Sequence, residues 1–178
     1  MPGILTLVPP LTIDIPTRQL VRALADGGPA SPELPAEADL FLCVRAAWDA
    51  FLGAVAAPKG GEVIVSGLNI PHMEQIVRAH GLRPVAADLR PETLLPDLET
   101  LEAARTPRTV GVLVAQLFGA FSPLGTIGEW CRGHGLFLVE DCAQSFMGRD
   151  FRGSKGATAT LFSFGTIKRA TALGGAVA

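Results

Sequence analysis

Hydrophobic positions in the first regular part of the chain follow helical spacing. Six apolar residues recur at i, i+3, i+4, i+7, i+8 and i+11, which predicts a helix with one apolar face. These six residues are Val44, Ala47, Trp48, Phe51, Leu52 and Val55. A Pro-Lys-Gly-Gly turn at 58–61 is expected to end this helix. Upstream, prolines interrupt every candidate element except a short helix near Thr17–Ala25. Residues 1–40 are therefore predicted to form an irregular N-terminal arm.

Further along the chain, short apolar runs alternate with helical patterns. The strands are predicted over residues 63–66, 84–88, 110–115 and 136–140, and the helices over 71–80, 94–104 and 122–133. The last helix is expected to begin with Ser122 as its N-cap and Pro123 in its first turn. This alternation predicts an α/β fold with a mostly parallel sheet flanked by helices.

The rhythm changes after Asp141. Residues 158–164 alternate between apolar and polar positions, and residues 174–178 begin another apolar strand. Because a strand at the end of the sequence lacks a covering element, we expect residues 41–178 to be part of a larger domain.

Composition excludes several function classes. The chain has 178 residues, of which 48 % are hydrophobic, and 15 basic against 17 acidic residues give a net charge of −2. This balance argues against nucleic-acid and membrane partners, and no apolar run reaches the ~20 residues of a membrane helix. The N-terminus has no basic signal-peptide start, and three cysteines without C-x-x-C spacing favour the cytoplasm. The three histidines lack ligand spacing, so no metal site is expected.

Candidate chemistry lies where strands end, because ligands of open α/β sheets bind outside the carboxyl ends of the strands. Asp141 and Gln144 follow the strand 136–140, and Ser163 and Lys168 come at the end of the strand 158–164. Taken singly, the carboxylate fits a helix cap, the serine an ordinary strand position and the lysine a solvated surface. The other two lysines lie in glycine-rich turns, so Lys168 is the candidate if one amine does chemistry.

Three segments together resemble a known family. The sequences VEDCAQSF (139–146), LFSFGTIK (161–168) and ALGGAV (172–177) are similar to the cofactor segment of DegT/DnrJ/EryC1/StrS aminotransferases. The spacing agrees: an aspartate, one residue, Ala-Gln, then Ser-Phe with a lysine five positions after the serine. Three upstream segments, 60–71, 89–109 and 116–144, are also similar. The resemblance covers residues 40–178 approximately.

The resemblance implies the large domain of a fold-type-I aminotransferase that uses pyridoxal 5′-phosphate (PLP). Lys168 matches the lysine that forms the Schiff base with PLP and carries a proton. Asp141 matches the carboxylate beside the pyridine nitrogen, where an opposite charge favours the protonated ring. Ser163 matches a phosphate-binding hydroxyl, and Gln144 matches a residue near the ring and its phenolic oxygen.

The phosphate-binding segment departs from the family pattern. Members usually carry Ser-Gly-Thr or a relative of it at the start of the first large helix, and this chain has Cys43-Val44-Arg45-Ala46. Backbone amides at a helix start can bind phosphate without a particular side chain. We therefore expect Arg45 and Ala46 to contribute, with Arg45 adding a charge-assisted contact.

The implied reaction is transfer of an amino group from an amino acid such as glutamate to a keto group, here of a nucleotide-linked sugar. A lysine rather than a histidine at 168 favours transamination over the dehydratase branch of the family. The resemblance also implies a homodimer. The alternative is a truncated, non-catalytic α/β or PLP-binding protein that acts through interactions. A dinucleotide-binding oxidoreductase is disfavoured, because no G-x-G-x-x-G follows an early strand.

Overall fold

The computed structural model describes residues 17–25, 38–148, 151–165, 168 and 174–178. Contacts divide the chain into two units, Met1–Ala36 and Glu37–Ala178. In the first unit the described part is the helix α1, Thr17–Ala25, at the position that the sequence predicts. The rest of the predicted arm up to residue 37 lies outside the described residues, whereas Leu40 at its end pairs with Val177 in the sheet.

The second unit alternates strands and helices around one sheet. Its elements are β1 (Leu40–Phe41), α2 (Val44–Val55), β2 (Glu62–Ser66), α3 (Pro71–Ala79), β3 (Arg83–Ala87), α4 (Leu98–Ala104), β4 (Thr109–Ala115), α5 (Gly125–Gly133), β5 (Phe137–Asp141), β6 (Ala159–Ser163) and β7 (Ala176–Val177). The strand order is β1-β7-β6-β5-β4-β2-β3. Strands β2 to β6 are parallel, and β7 is antiparallel to both of its neighbours. The prediction of a mostly parallel sheet flanked by helices is confirmed.

Each face of the sheet carries its own apolar core, because successive side chains of a strand point to opposite faces. On one face, α2 and α3 pack against Val139 of β5 and Leu161 of β6. On the other face, residues of α4 and α5 pack against Leu138 of β5. The fully buried Trp48 joins α2 to α3, since its indole N–H donates to the Met73 carbonyl at 3.1 Å.

Two predicted helix starts are wrong. The helix α5 begins at Gly125 rather than at Ser122-Pro123, because the backbone of Ser122 is bonded on both sides to the Gln116 side chain and does not cap the helix. The helix α4 begins at Leu98 rather than at Leu94, which adopts a left-handed φ of 57° that no helix continues. Asp97 instead caps α4 by accepting the Thr100 N–H at 2.8 Å.

None of the helices within the described ranges is both long and apolar enough to cross a membrane.

Candidate functional site

The site lies at the C-terminal ends of the five parallel strands. We call this side of the sheet, which crosses all five strands, the carboxyl edge. The helix α2 ends at Val55 and is followed after a short turn by β2, so α2 runs opposite to the strands. The first turn of α2 therefore lies at the carboxyl edge. Its Val44 packs in the same core as Leu161 and Ala176, which places this turn over the ends of β6 and β7.

Asp141 is the last residue of β5 and points towards the α2 face. Val139, two positions earlier, lies in the core beneath α2, and residues i and i+2 of a strand share a face. The Asp141 carboxyl is buried, and its Oδ1 accepts the Ala143 N–H at 2.9 Å. Burial raises the pKa of Asp141, whereas the Ala143 amide and the positive charge of Lys168 oppose that rise. A cation held against this carboxyl would favour its ionised form.

Ser163 is the last residue of β6 and Lys168 follows it, so both lie at the end of the strand that neighbours Asp141. Ser163 shares the α2 face with Leu161, which is in register with Asp141 of the neighbouring strand. A Cβ placed on Gly165 would lie 3.8 Å from Ser163 Oγ and 3.9 Å from Lys168 Cγ. The backbone turns tightly here, because the Lys168 N–H donates to the Gly165 carbonyl at 3.0 Å. The structure thus brings together Asp141, Ser163 and Lys168.

Arg45 and Ala46 occupy the first turn of α2. Cys43 is the N-cap residue and its side chain makes no capping hydrogen bond. The first amides of a helix carry a partial positive charge. Here the Ala46 N–H already donates to the Cys43 carbonyl at 3.0 Å, so the amides offered to a ligand are those that precede Ala46. Arg45 is exposed and Ala46 is half-buried. The turn therefore presents amide donors and one guanidinium, which suits an anion.

Gln144 is exposed at the carboxyl edge and is held by the loop after β4. Its Oε1 accepts the Phe118 N–H at 3.0 Å. Phe118 itself has a left-handed φ of 56° and a side chain that is 73 % exposed. The described contacts thus connect Gln144 with the loop 116–124 rather than with Asp141.

The sequence pattern did not single out Asn69 as a site residue. This residue follows β2 at the carboxyl edge, and its side-chain oxygen accepts the Ile70 N–H at 2.8 Å. Its side-chain nitrogen Nδ2 is buried and, alone among the buried side-chain polar atoms of the described ranges, lacks a hydrogen-bond partner. A buried donor of this kind is expected to be satisfied by something further. Its position just after a strand is the only sequence feature that could have pointed to it.

Cys142 does not act as a nucleophile in this arrangement. Burial raises the pKa of the Cys142 thiol, and the adjacent Glu140 and Asp141 carboxylates raise it further. The thiolate is the reactive form of cysteine, so a raised pKa keeps the group inert at neutral pH.

Together, the fold and the site define an α/β protein that collects a buried carboxylate, a hydroxyl and an amine at the carboxyl edge of a mainly parallel sheet. The model of the DegT/DnrJ/EryC1/StrS aminotransferase family matches residues 45–178. The chain belongs to this family.

Individual relatives agree with this assignment. The chain is 37 % identical over 151 residues to an L-glutamine:2-deoxy-scyllo-inosose aminotransferase of Streptomyces fradiae, covering 83 % of this chain and 34 % of the relative. It is 33 % identical over 102 residues to a UDP-2-acetamido-2-deoxy-3-oxo-D-glucuronate aminotransferase of Pseudomonas aeruginosa, covering 57 % of this chain and 28 % of the relative.

Solved structures share the fold. DesV of S. venezuelae, crystallised with a ketimine intermediate, superposes with a TM-score of 0.70 at 27 % identity, covering 90 % of this chain and 48 % of DesV. This chain spans about a quarter to a third of the length of the first curated relatives, whose covered shares run from 25 % to 34 %.

Proposed function

We propose that this chain forms the cofactor-binding part of a PLP-dependent aminotransferase. The observation that carries the proposal is the buried Asp141 carboxyl, which interacts electrostatically with Lys168 across the carboxyl edge. A buried carboxylate is costly unless a cation or hydrogen bonds compensate it. The protonated pyridine nitrogen of PLP is a cation that would compensate this carboxylate.

The donors and acceptors of the site fit PLP. Asp141 would hold the pyridine N–H, and Lys168 would bind the aldehyde carbon. The Ser163 hydroxyl and the first amides of α2, with Arg45, would bind the phosphate. When bound, PLP supplies an electron sink that stabilises negative charge on the substrate carbon. Ser-Gly-Thr is absent here, but backbone amides do not depend on that sequence.

Lys168 serves as the proton carrier in this proposal. With PLP and the amino donor bound, Lys168 Nζ would be the group to take the proton from the donor carbon that bears the amino group. A lysine in this position can give that proton back, so one group acts as base and then as acid. Asp141 would favour a protonated ring nitrogen, because opposite charges attract more strongly in the buried surroundings of its carboxyl.

The substrates proposed are an amino acid donor such as glutamate and a sugar-like keto acceptor. The name of the Streptomyces fradiae relative specifies L-glutamine as donor and an inosose as acceptor. The name of the Pseudomonas aeruginosa relative specifies a UDP-linked 3-oxo sugar. We propose a nucleotide-linked keto sugar as the acceptor of this protein.

A second copy of the chain is the proposed partner. Several large apolar side chains at or next to the carboxyl edge are exposed, among them Leu42 at 91 %, Phe118 at 73 % and Ile70 at 48 %. Large exposed apolar side chains at one end of a fold are typical of interaction surfaces. A homodimer would cover them and enclose the site, and Leu42→Glu should shift the mass measured by light scattering towards the monomer.

The cytoplasm is the proposed location. All three cysteines are free thiols in the structure, and Cys131 and Cys142 are buried. Burial raises the pKa of Cys131 to about 12, so this thiol stays protonated. Unpaired cysteines are the normal state in a reducing compartment.

The test is transfer of nitrogen from the donor. The chain is incubated with PLP and glutamate or glutamine, and formation of the corresponding 2-oxo acid is measured in a single turnover. Lys168→Ala should abolish 2-oxo acid formation, and Lys155→Ala, which removes an exposed lysine elsewhere, should leave it unchanged. If PLP binds through Lys168 but no oxo acid forms with any donor, the alternative of a non-catalytic PLP-binding protein is favoured.

A further inference from the structure

Glu140 is a second buried carboxylate at the carboxyl edge, and the proposed reaction does not use it. It directly precedes Asp141 in β5, so the two side chains point to opposite faces of the sheet. Its side chain lies on the α5 face with Leu138, and its exposed fraction is 0 %. A fully buried carboxylate in a strand of an apolar sheet requires specific partners.

Besides the nearby Cys142 thiol, the partners of Glu140 are hydrogen-bond donors that come from two separate loops. Oε1 accepts the Gln116 Nε2 amide at 2.8 Å and the Ser154 hydroxyl at 2.6 Å. Oε2 accepts the Ser154 N–H at 2.6 Å. Three donors around one carboxylate match its ionised form, which only accepts. The carboxylate therefore joins the loop after β4 to the loop before β6.

The loop after β4, residues 116–124, depends on this junction. Gln116 Nε2 also donates to the Ser122 carbonyl at 2.7 Å, and Gln116 Oε1 accepts the Ser122 N–H at 3.0 Å. The Leu124 N–H donates to the Ser154 Oγ at 2.9 Å. Both ends of the loop are thus attached, directly or through one residue, to the Glu140 carboxylate.

The second loop, which precedes β6, brings its backbone close to the Glu140 carboxylate at Gly153. Gly153 has a φ of +79°, and a Cβ at this position would lie 2.5 Å from Glu140 Oε2. Only glycine is compatible with both the left-handed backbone and the short approach. The junction is therefore packed without free space.

We propose that Glu140 is a positioning residue of the PLP site, an inference that rests on the proposed function. Through Gln116 it fixes the loop 116–124, whose Phe118 N–H binds Gln144 Oε1. Gln144 is the residue proposed to lie near the PLP ring. Glu140 thus orients a ring contact from the opposite face of the strand that carries Asp141.

The experiment compares Glu140→Gln with Glu62→Gln. Glu62 is also a buried glutamate, 2 % exposed, but it lies at the start of β2, the opposite edge of the sheet. There it accepts hydrogen bonds from Thr106 and Arg108. It is a matched control for the loss of a buried carboxylate. Three quantities are measured: urea stability, hydrogen exchange of residues 116–124 without PLP, and the affinity and visible absorbance maximum with PLP.

Glu140→Gln should speed hydrogen exchange in the loop 116–124 about tenfold. The amide that replaces the carboxylate would place an N–H group against the donors of Gln116 or Ser154. It should also weaken PLP affinity about tenfold and shift the absorbance maximum, because the ring contact is lost. Glu62→Gln should lower stability and leave loop exchange, affinity and absorbance as in the wild type. Ser154→Ala keeps the charge but removes one donor to Glu140 and the acceptor of the Leu124 N–H, and should give intermediate values at residues 116–118.

The outcomes separate the two proposals. A wild-type chain that binds no PLP contradicts the proposed function, whereas the exchange data without PLP still test the junction. A wild type that binds PLP, together with a Glu140→Gln variant indistinguishable from Glu62→Gln, overturns the positioning role. If Glu140→Gln does not fold, Ser154→Ala decides. Faster exchange at residues 116–118, away from Leu124, together with a shifted absorbance maximum supports the role, and wild-type values at those residues overturn it.

Discussion

The buried carboxyl of Asp141 lies within electrostatic reach of Lys168, although the whole loop before β6, β6 itself and residues 164–167 separate the two in sequence. Parallel strands bring distant segments to one edge of the sheet, and here that edge collects an acid and an amine. Asp141 faces α2, whose first turn lies at the same end of the strands. In this proposal no residue of the opposite face contacts the reacting groups, and Glu140, which lies on that face, acts on the site only through Gln116 and Gln144.

Asp141→Asn should change the pH dependence of stability. The raised pKa of Asp141 means that its contribution is present below the ordinary aspartate range and is lost as pH rises through the folded-state value. The stability advantage of the variant without PLP should therefore grow as pH rises above the ordinary aspartate value of about 4. Urea unfolding at several pH values measures it.

The same variant should fail to retain PLP, because an amide cannot hold the pyridine nitrogen protonated. If the difference in free energy of unfolding between Asp141→Asn and the wild type, both without PLP, stays constant with pH, the burial of an ionisable carboxyl at this position is contradicted.

Arg45→Ala should weaken PLP binding through the phosphate. A charge-assisted hydrogen bond is worth roughly 1.5–3 kcal/mol, so PLP affinity should fall about tenfold or more. Arg78→Ala provides the control, since this exposed arginine lies in the last turn of α3, at the other edge of the sheet. Titration of PLP followed by absorbance gives both affinities. Equal affinities for the two variants would remove Arg45 from the phosphate site.

Trp48→Phe should destabilise the α2–α3 pair. The substitution removes the indole donor to the buried Met73 carbonyl and leaves space beside Phe51, whose ring stacks on Trp48 at 5.8 Å. An unpaired buried carbonyl and a small cavity together should cost about 2–3 kcal/mol. Denaturant unfolding should show a lower midpoint with an unchanged slope. A midpoint within error of the wild type would show that this hydrogen bond contributes nothing.

Asp97→Ala should lower stability in a pH-dependent way. The Thr100 amide and hydroxyl and the Arg90 guanidinium lower the pKa of Asp97 to about 2. The stabilisation is present above the ordinary aspartate value and is lost as pH falls towards about 2. The gap in melting temperature between wild type and variant should narrow over that range. Asp88→Ala, an exposed charge outside α4, should show no such narrowing.

Elements defined by local periodicity could be predicted from the sequence. The helix α2 spans Val44–Val55, the limits of its apolar pattern, and β4 falls on its run of β-branched residues. The start of α5 was mispredicted because Ser122 is held by Gln116, six residues away, and not by its own helix. The left-handed Leu94 is a similar case, since no glycine or asparagine marks it.

The candidate site likewise has a part that could be predicted from local sequence and a part that depends on distant contacts. Asp141, Ser163 and Lys168 each follow or end a strand, so the rule for parallel sheets places them at one edge. The junction at Glu140 could not be predicted, because its partners Gln116 and Ser154 are distant in the sequence and both have ordinary loop roles. The sequence likewise could not predict that the Asn69 side-chain nitrogen Nδ2 is buried without a hydrogen-bond partner, because burial depends on the folded structure.

The central claim is that Lys168 binds PLP covalently beside Asp141, and one measurement tests it most directly. The chain is incubated with PLP, reduced with borohydride, digested and mapped by mass spectrometry. We predict that the reduced pyridoxyl group is found on the peptide containing Lys168, and that Lys168→Ala eliminates it. A label on Lys59 or Lys155 instead, or a label that persists in Lys168→Ala, would contradict the account.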